Sequence, residues 1–301
     1  TRIDVFLPAR LEGLSRAIIR REIEAKRLLV NGRPVRKSYP VQAGDRIPLA
    51  WYHALRQATI LPDPEGELVV IEETPRMIAF NKQPGLPTLP KTHRDTNALA
   101  CRIVARYPAL AAVGGPLEGG LVHRLDTATS GVILAARTPD DYEDLRLLWR
   151  LHRVKKEYVA ILDGNLVRSL NIRKGMAHQS GKRMKIDANG LAAQTFVTPI
   201  ARAKNERRTL ARVEIREGRR HQIRLHTADA EHPVSGDTIY GGGEETDRLL
   251  LHAIALTLTV PGDEERFFFA DPPADFLHFT EKWFGGDGLD AITKLRSPSE
   301  K

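Results

Sequence analysis

Residues 57–67, Gln-Ala-Thr-Ile-Leu-Pro-Asp-Pro-Glu-Gly-Glu, are the firmest interruption in the chain. Pro62 and Pro64 fix φ and remove backbone donors, and Gly66 adds conformational freedom, so neither a helix nor a central strand runs through them. The chain therefore divides into a segment of residues 1–56, this linker, and a body of residues 68–301. Charge follows the same division. Residues 1–60 hold twelve Lys and Arg against five Asp and Glu, a net +7, whereas the remainder holds 34 against 33. A concentrated basic segment on a nearly neutral body fits a polyanion-binding module. A solvated basic face without a partner fits equally well.

Within the segment, Ser15 is a suitable N-cap for a helix through Arg27, which sets Arg16, Arg20 and Arg27 on one face. Residues 28–35 read as a hairpin, because Asn31-Gly32 supplies the two positive φ values of a primed turn. Gly44-Asp45 then turns the chain into a short strand over 46–49. Helix, hairpin and strand make a small α/β unit with little core of its own.

In the body, the patterns predict strands over 68–72, 77–82, 131–137, 155–162, 193–200, 209–216 and 249–260. A helix is predicted from Thr96 to Tyr107, and another from Thr138, where a cap residue, Pro139 and two acids follow in order. Strands outnumber helices and no βαβ repeat recurs, so the expected class is α+β with a mixed, mostly antiparallel sheet. The 42% hydrophobic content supports a proper core. No stretch approaches the ~18 apolar residues of a membrane-spanning helix, so no membrane partner is expected. Cys101 stands alone, which excludes an internal disulfide or a cysteine-built zinc site and points to a reducing compartment. No charged-then-apolar leader opens the sequence at Thr1, so it reads as cytoplasmic, with a monomer as the default.

Several familiar motifs fail on inspection. Gly32–Ser38 imitates a phosphate-binding loop, but Arg36 stands where the second glycine is needed. The glycine runs near 114–120 and 241–243 lack dinucleotide spacing. No HExxH, paired zinc spacing or GxSxG elbow occurs, and His221 and His226 do not share a helical face. Neither a metal nor a cofactor is expected. The segment that remains is Gly120-Leu-Val-His123-Arg124-Leu125-Asp126-Thr-Ala-Thr-Ser130-Gly131, read as a strand that delivers an arginine and a carboxylate into a turn. On local grounds, an aspartate capping its own turn is the commoner explanation of Asp126.

Ordered motifs extend beyond that turn. Ser15-Arg16 with its basic helix, Val30–Val35 and Ala43–Ile47 resemble the small RNA-binding module named after a ribosomal small-subunit protein. His123–Asp126 with Thr129–Gly131 resembles the signature of the RluA family of pseudouridine synthases. The likeness continues through Lys156–Ala160, Gly218–His226, His232–Gly241 and Leu249–Ala253, over roughly residues 68–283. The resemblance implies a pseudouridine synthase fold and an isomerase that converts uridine to pseudouridine in structured RNA, with no redox cofactor, nucleotide or metal. Ribosomal RNA is favoured over transfer RNA by analogy.

The same resemblance assigns roles. Asp126 is the nucleophile or base, Arg224 the cation that orients it, and Tyr158 the ring that stacks on uracil and whose hydroxyl assists proton transfer. Leu251 walls the base pocket. Arg124 fills the vacancy left by a flipped base, with His123 in support, and Arg16, Arg20 and Arg27 grip RNA. Read without the resemblance, Arg224 is as readily a surface ion pair, Tyr158 a half-buried strand residue and Leu251 plain core. The basic stretch Arg168, Arg173, Lys174, Lys182, Arg183 and Lys185 suits RNA backbone contact or a solvated loop. Glu217 stands where the family usually has a small hydroxyl residue, and Pro87-Thr88-Leu89-Pro90 is an unusual version of its loop. Neither is expected to touch Asp126, and both bear on substrate choice. A non-catalytic RNA-binding or ribosome-assembly factor on the same scaffold is the alternative, although it has no need of Asp126, Arg224 and Tyr158 together. A metal-dependent RNA hydrolase built on the ten histidines lacks clustered carboxylates.

Overall fold

The computed structural model describes all residues except 12, 13, 15, 57–59, 182, 205, 206, 244, 245 and 298–301. The proposed cap Ser15, the start of the linker and Lys182 lie outside the described residues. The chain forms two compact units, Thr1–Thr59 with Gly115–Leu117, and Ile60–Gly114 with Glu118–Lys301.

The first unit holds helices α1 (Ile3–Phe6), α2 (Arg16–Glu24) and α3 (Ala50–Arg56) and a hairpin of β1 (Leu29–Val30) and β2 (Arg33–Pro34). Asn31 and Gly32 take φ values of 51° and 74°, as a primed two-residue turn requires. Ile3, Leu7, Ile19, Leu28, Val30 and Trp51 form its core. Two expectations fail here. Residues 46–49 form no strand, although the Arg46 backbone bonds to both the backbone and the side chain of Asn31. The helix stops at Glu24, because Lys26 adopts φ 55° and the Arg27 N–H returns to the Glu22 carbonyl. Arg27 is therefore off the helix, and its guanidinium binds the buried Glu22 carboxylate at 2.7 and 3.0 Å. Arg16 likewise pairs with buried Asp4 at 3.0 Å. Of the three arginines assigned to RNA, Arg20 alone is exposed with no ion pair among the described residues.

The second unit contains β3 (Val69–Glu73), β4 (Met77–Lys82), α4 (Leu99–Arg106), β5 (Ser130–Ala136), α5 (Pro139–Arg150), β6 (Lys155–Asp163) and β7 (Leu170–Arg173). It continues with β8 (Met176–Ser180), β9 (Arg183–Ile186), β10 (Gln194–Arg202), β11 (Arg208–Ile215), α6 (Gln222–Asp229), β12 (Leu251–Thr259), β13 (Glu265–Phe269) and α7 (Ala274–Thr293). Nine strands make one sheet in the order β3-β4-β5-β12-β6-β11-β10-β7, with β13 also on β12. Among the described residues only the β5–β12 pairing is parallel. This is the mixed α+β, mostly antiparallel architecture expected. β8 and β9 form a separate hairpin within the basic stretch.

Both faces of the sheet centre are covered, as period-two alternation along β6 shows. Ala160 and Leu162 pack with Ile223 of α6, whereas Val159 and Ile161 pack with Phe276, Trp283 and Phe284 of α7. At the β5–β12 crossing, Gly131 takes φ 121°, and any Cβ there would strike the Ala253 carbonyl. Glycine is what lets these strands approach. Thr138 caps α5 as predicted, accepting from the Asp141 N–H. Thr96 does not cap α4: the helix starts at Leu99, where carbonyls of Pro87 and Thr88 accept the Leu99 and Ala100 N–H groups.

Candidate active site

Residues 122–129 are a loop and not the expected strand; a bridge from Leu121 to Ala135 precedes it, and the Val122 N–H donates to the Leu134 carbonyl of β5 at 3.2 Å. Buried side chains hold this loop. Thr88 Oγ1 donates to the Leu125 carbonyl at 2.8 Å and accepts the Leu125 N–H at 3.1 Å. Lys82, fully buried, donates to the carbonyls of Gln83, Leu86 and Thr127 at 2.9, 2.8 and 3.2 Å. The 87–90 loop, as expected, makes no hydrogen bond to Asp126 among the described residues, but Thr88 holds Leu125, the residue before it. Thr129 accepts no bond at its hydroxyl, but its N–H donates to the Asp126 carbonyl at 3.0 Å, closing the turn.

Because β5 and β12 run parallel with Ser130 beside His252, the Asp126 turn and Leu251 sit at the same end of the sheet. Tyr158 of β6 pairs with Ala253, which brings its ring to this end. The residues enclose a cleft of about 220 Å³, lined by Asp126, Arg124, Tyr158, Leu251, Glu217 and Arg224 among others. The arginine motif reaches it as a helix. Arg224, in the first turn of α6, donates to Asp126 Oδ2 at 3.4 Å.

Arg224 has a closer partner that sequence reasoning missed. Its Nε and Nη2 each lie 2.7 Å from Asp237, whose side chain is wholly buried. Burial opposes the charge on Arg224, and Asp237, aided by Asp126, more than offsets it, holding the guanidinium above its usual value. Burial likewise works against the Asp237 carboxylate, and Arg224 with the Ile239 and Tyr240 N–H groups outweighs it, lowering its pKa. Gly236-Asp237 and Tyr240-Gly241 stood in the motif, but their spacing said nothing of a bond to a helix thirteen residues earlier.

The other candidates differ in setting. Tyr158 is half-buried, and burial together with Asp126 raises its phenol pKa, so it stays a proton donor. Leu251 is buried core as well as cleft wall. Arg124 is exposed at the cleft with no hydrogen bond or ion pair among the described residues. His123 stacks on Trp149 with ring centroids 4.5 Å apart and accepts the Leu134 N–H at Nε2. Burial, with Lys156 and Arg146 adding, pulls its pKa down to about 3, so it is a neutral acceptor rather than a phosphate-binding cation. Glu217 lines the cleft and accepts the Gln194 N–H at 2.7 Å. Lys156, lowered to about 8 by burial against Glu217, donates to the Arg216 carbonyl at 2.7 Å. Among the described residues no group of three His, Cys, Asp or Glu side chains is placed to hold a metal ion. No helix among them is long and apolar enough to cross a membrane.

Residues 76–229 match the family of RNA pseudouridylate synthases, and residues 1–47 match the S4 domain. The chain belongs to the RNA pseudouridylate synthase family. Within it the likeness is to the RluA type, and the enzyme is an isomerase that converts uridine to pseudouridine in RNA. It is 33% identical, over 287 residues, to an uncharacterized RNA pseudouridine synthase of Chloroflexus aurantiacus, covering 91% of this chain and 87% of that one. It is 31% identical over 290 residues to ribosomal large subunit pseudouridine synthase C of Escherichia coli K12, covering 88% and 86%. The fold resembles human RNA pseudouridylate synthase domain containing 1, with a TM-score of 0.59 at 20% identity over 80% of this chain and 100% of that one.

Proposed function

We propose that this pseudouridine synthase modifies ribosomal RNA and that Asp126 is its reacting carboxylate. The observation that carries the reading is the half-buried Asp126 in a cleft walled by Leu251 and Tyr158, 3.4 Å from a buried guanidinium. The isomerisation breaks the bond from ribose C1′ to uracil N1, turns the base, joins C1′ to C5 and releases the C5 hydrogen as a proton while the freed N1 takes one up. The proton lost and the proton gained balance, and no electron pair leaves. Attack on the ribose or removal of a proton both need a carboxylate whose reacting oxygen faces the substrate. Arg224 holds the other oxygen.

Leu251 and the Tyr158 ring contact the uracil, and the protonated Tyr158 hydroxyl supplies a donor as the C–N bond breaks. Uridine in folded RNA must first leave its stack, and Arg124, free at the rim, takes its place. In the S4 domain, Arg20 contacts phosphate, whereas Arg16 and Arg27 neutralise buried carboxylates and shape the surface. Ribosomal RNA is favoured because relatives such as the E. coli enzyme are named for the ribosomal large subunit.

The test is tritium release from ribosomal and transfer RNA carrying tritium at uracil C5, taken from cells lacking this protein. Wild type should release label from the ribosomal fraction, and Asp126→Asn should release none while remaining folded. Release by Asp126→Asn at the wild-type rate refutes the role of Asp126. Release confined to transfer RNA refutes the choice of substrate.

A further inference from the structure

Among the described residues, the contacts to the Asp126 carboxylate fall on one oxygen. Arg224 Nη1 and His221 Nε2 lie 3.4 and 3.8 Å from the same Oδ2. Among the described residues no hydrogen bond reaches Oδ1. His221 takes φ 55° and ψ 23°, a left-handed conformation for a residue with a side chain, at the start of α6.

His221 Nδ1 lies 3.0 Å from Tyr240 Oη, and Tyr240 Oη accepts the Met184 N–H of β9 at 2.9 Å. The phenolic proton has no other acceptor among the described residues, so we assign it to Nδ1, which leaves the neutral imidazole carrying its proton on Nε2, facing Oδ2. The opposite tautomer would set a lone pair against the carboxylate. Burial lowers the His221 pKa first, with Arg224 and Arg220 also lowering it against Asp126 and Asp237, which favours this neutral ring. Tyr240 is fixed in turn, since its N–H donates to Asp237 at 3.2 Å and the Arg224 guanidinium lies 5.5 Å from its ring centroid.

We propose that His221 and Tyr240 are positioning residues that, with Arg224, hold Asp126 Oδ2 and leave Oδ1 to react, and that the β8–β9 hairpin sets them through the Met184 N–H. The proposal rests on Asp126 being the reacting carboxylate. The separation of 3.8 Å exceeds a hydrogen bond, as such contacts commonly do before substrate arrives, and it closes when a flipped uridine enters the cleft. The arrangement also gives the hairpin a part in the chemistry: its Met184 N–H holds the Tyr240 hydroxyl, and the Arg183 guanidinium donates to the Ile239 carbonyl and lies 6.0 Å from the Tyr240 ring centroid.

The experiment measures kcat and KM by tritium release from total RNA labelled at uracil C5, with wild type, Asp126→Asn, His221→Gly, Tyr240→Phe and the double variant His221→Gly/Tyr240→Phe. Glycine removes the imidazole and also relieves the left-handed backbone, so the melting temperature should hold or rise. In His221→Gly, kcat should fall roughly tenfold to hundredfold with KM unchanged, the scale of a misplaced reacting group. Tyr240→Phe should lower kcat about threefold to tenfold, the scale of one hydrogen bond. The double variant should match His221→Gly, because the hydroxyl acts through the imidazole. Multiplied losses, a loss confined to KM, or wild-type turnover in His221→Gly would each overturn the proposal. Turnover by Asp126→Asn would instead overturn the reading beneath it, so the two failures are distinct.

Discussion

Asp237→Asn separates what anchors Arg224 from what Arg224 does. Asp237 Oδ1 accepts Arg224 Nη2 at 2.7 Å, the Ile239 N–H at 2.9 Å and the Tyr240 N–H at 3.2 Å, so an asparagine oxygen will keep that position. Its NH2 group then replaces Oδ2 and meets the Arg224 Nε–H, which now donates at 2.7 Å. One charge-assisted bond is lost, and a guanidinium with 7% of its side chain exposed keeps only Asp126 as counter-charge. Breaking a buried pair costs about 3–5 kcal/mol, and the residual Asp126 contact places this case near about 3 kcal/mol. At roughly 2–4 °C per kcal/mol for a domain of this size, melting should drop by about 6–12 °C. Urea titration followed by circular dichroism reads the stability, and tritium release reads turnover. Replacing the whole pair, as in Arg224→Met/Asp237→Leu, should recover most of the stability, since an apolar pair leaves no buried charge, yet remain inactive. A loss under about 1 kcal/mol in Asp237→Asn would show that Asp237 does not anchor the guanidinium, contrary to this reasoning.

Other outcomes follow from the same geometry. Lys82→Met strips the donor from three carbonyls and should lower stability by about 2–4 kcal/mol and reduce turnover, because one of them belongs to Thr127; an unchanged urea midpoint contradicts it. His252, fully buried, has its pKa lowered to about 4 by burial, and His123 to about 3, against 6.5 for an unfolded histidine. Both stay neutral in the folded state, so their contribution is complete above pH 6.5 and is lost as pH falls toward about 4 and about 3. Each removes up to about 1.4 kcal/mol per pH unit in that window, so equal urea midpoints at neutral pH and mildly acidic pH would exclude it. Arg124→Ala should leave stability within about 0.5 kcal/mol of wild type. It should slow turnover on folded RNA while sparing a short unstructured RNA, where no stack must be broken; equal slowing on both would remove Arg124 from base flipping.

Seven of the nine strands of the sheet were legible because alternation and apolar runs report burial directly: Met77–Lys82 is bounded as the pattern predicts, and β6, β10, β11 and β12 deviate by one or two residues, whereas the short strands β7 and β13 were not anticipated. The helices were less so. α7 was not anticipated; Gly285 within it is non-helical, and Phe276, Trp283 and Phe284 before that kink and Ile292 after it all bury in one cluster against the sheet. Arg27 was placed on a helix because a lysine, not a glycine, occupies the left-handed position that ends it. Asp126, Arg224, Tyr158 and Leu251 were marked by resemblance, and the fold brings them to one cleft. Lys82, Thr88, Asp237 and Tyr240 were not assigned roles, since their bonds span between 13 and 56 residues and leave no periodic trace.

The distinction between those two groups is physical. The residues proposed to meet a substrate stand in local sequence patterns that a resemblance can mark. Residues that hold them need only lie close after the chain has folded. Here the parallel β5–β12 pair makes that closeness possible, setting Ser130 beside His252 and so the Asp126 turn beside Leu251, while the antiparallel β6–β12 pair adds Tyr158. α6 then packs Ile223 on the same face as Ala160 and Leu251, which carries Arg224 and His221 to the carboxylate. Ile223→Ala would test that chain of placement. Removing a nearly fully buried isoleucine costs about 2–5 kcal/mol. If α6 packing is what positions Arg224, kcat should fall further than an equally destabilising Phe276→Ala on the opposite face. Equal activity at matched stability would mean that Asp237 alone sets the guanidinium.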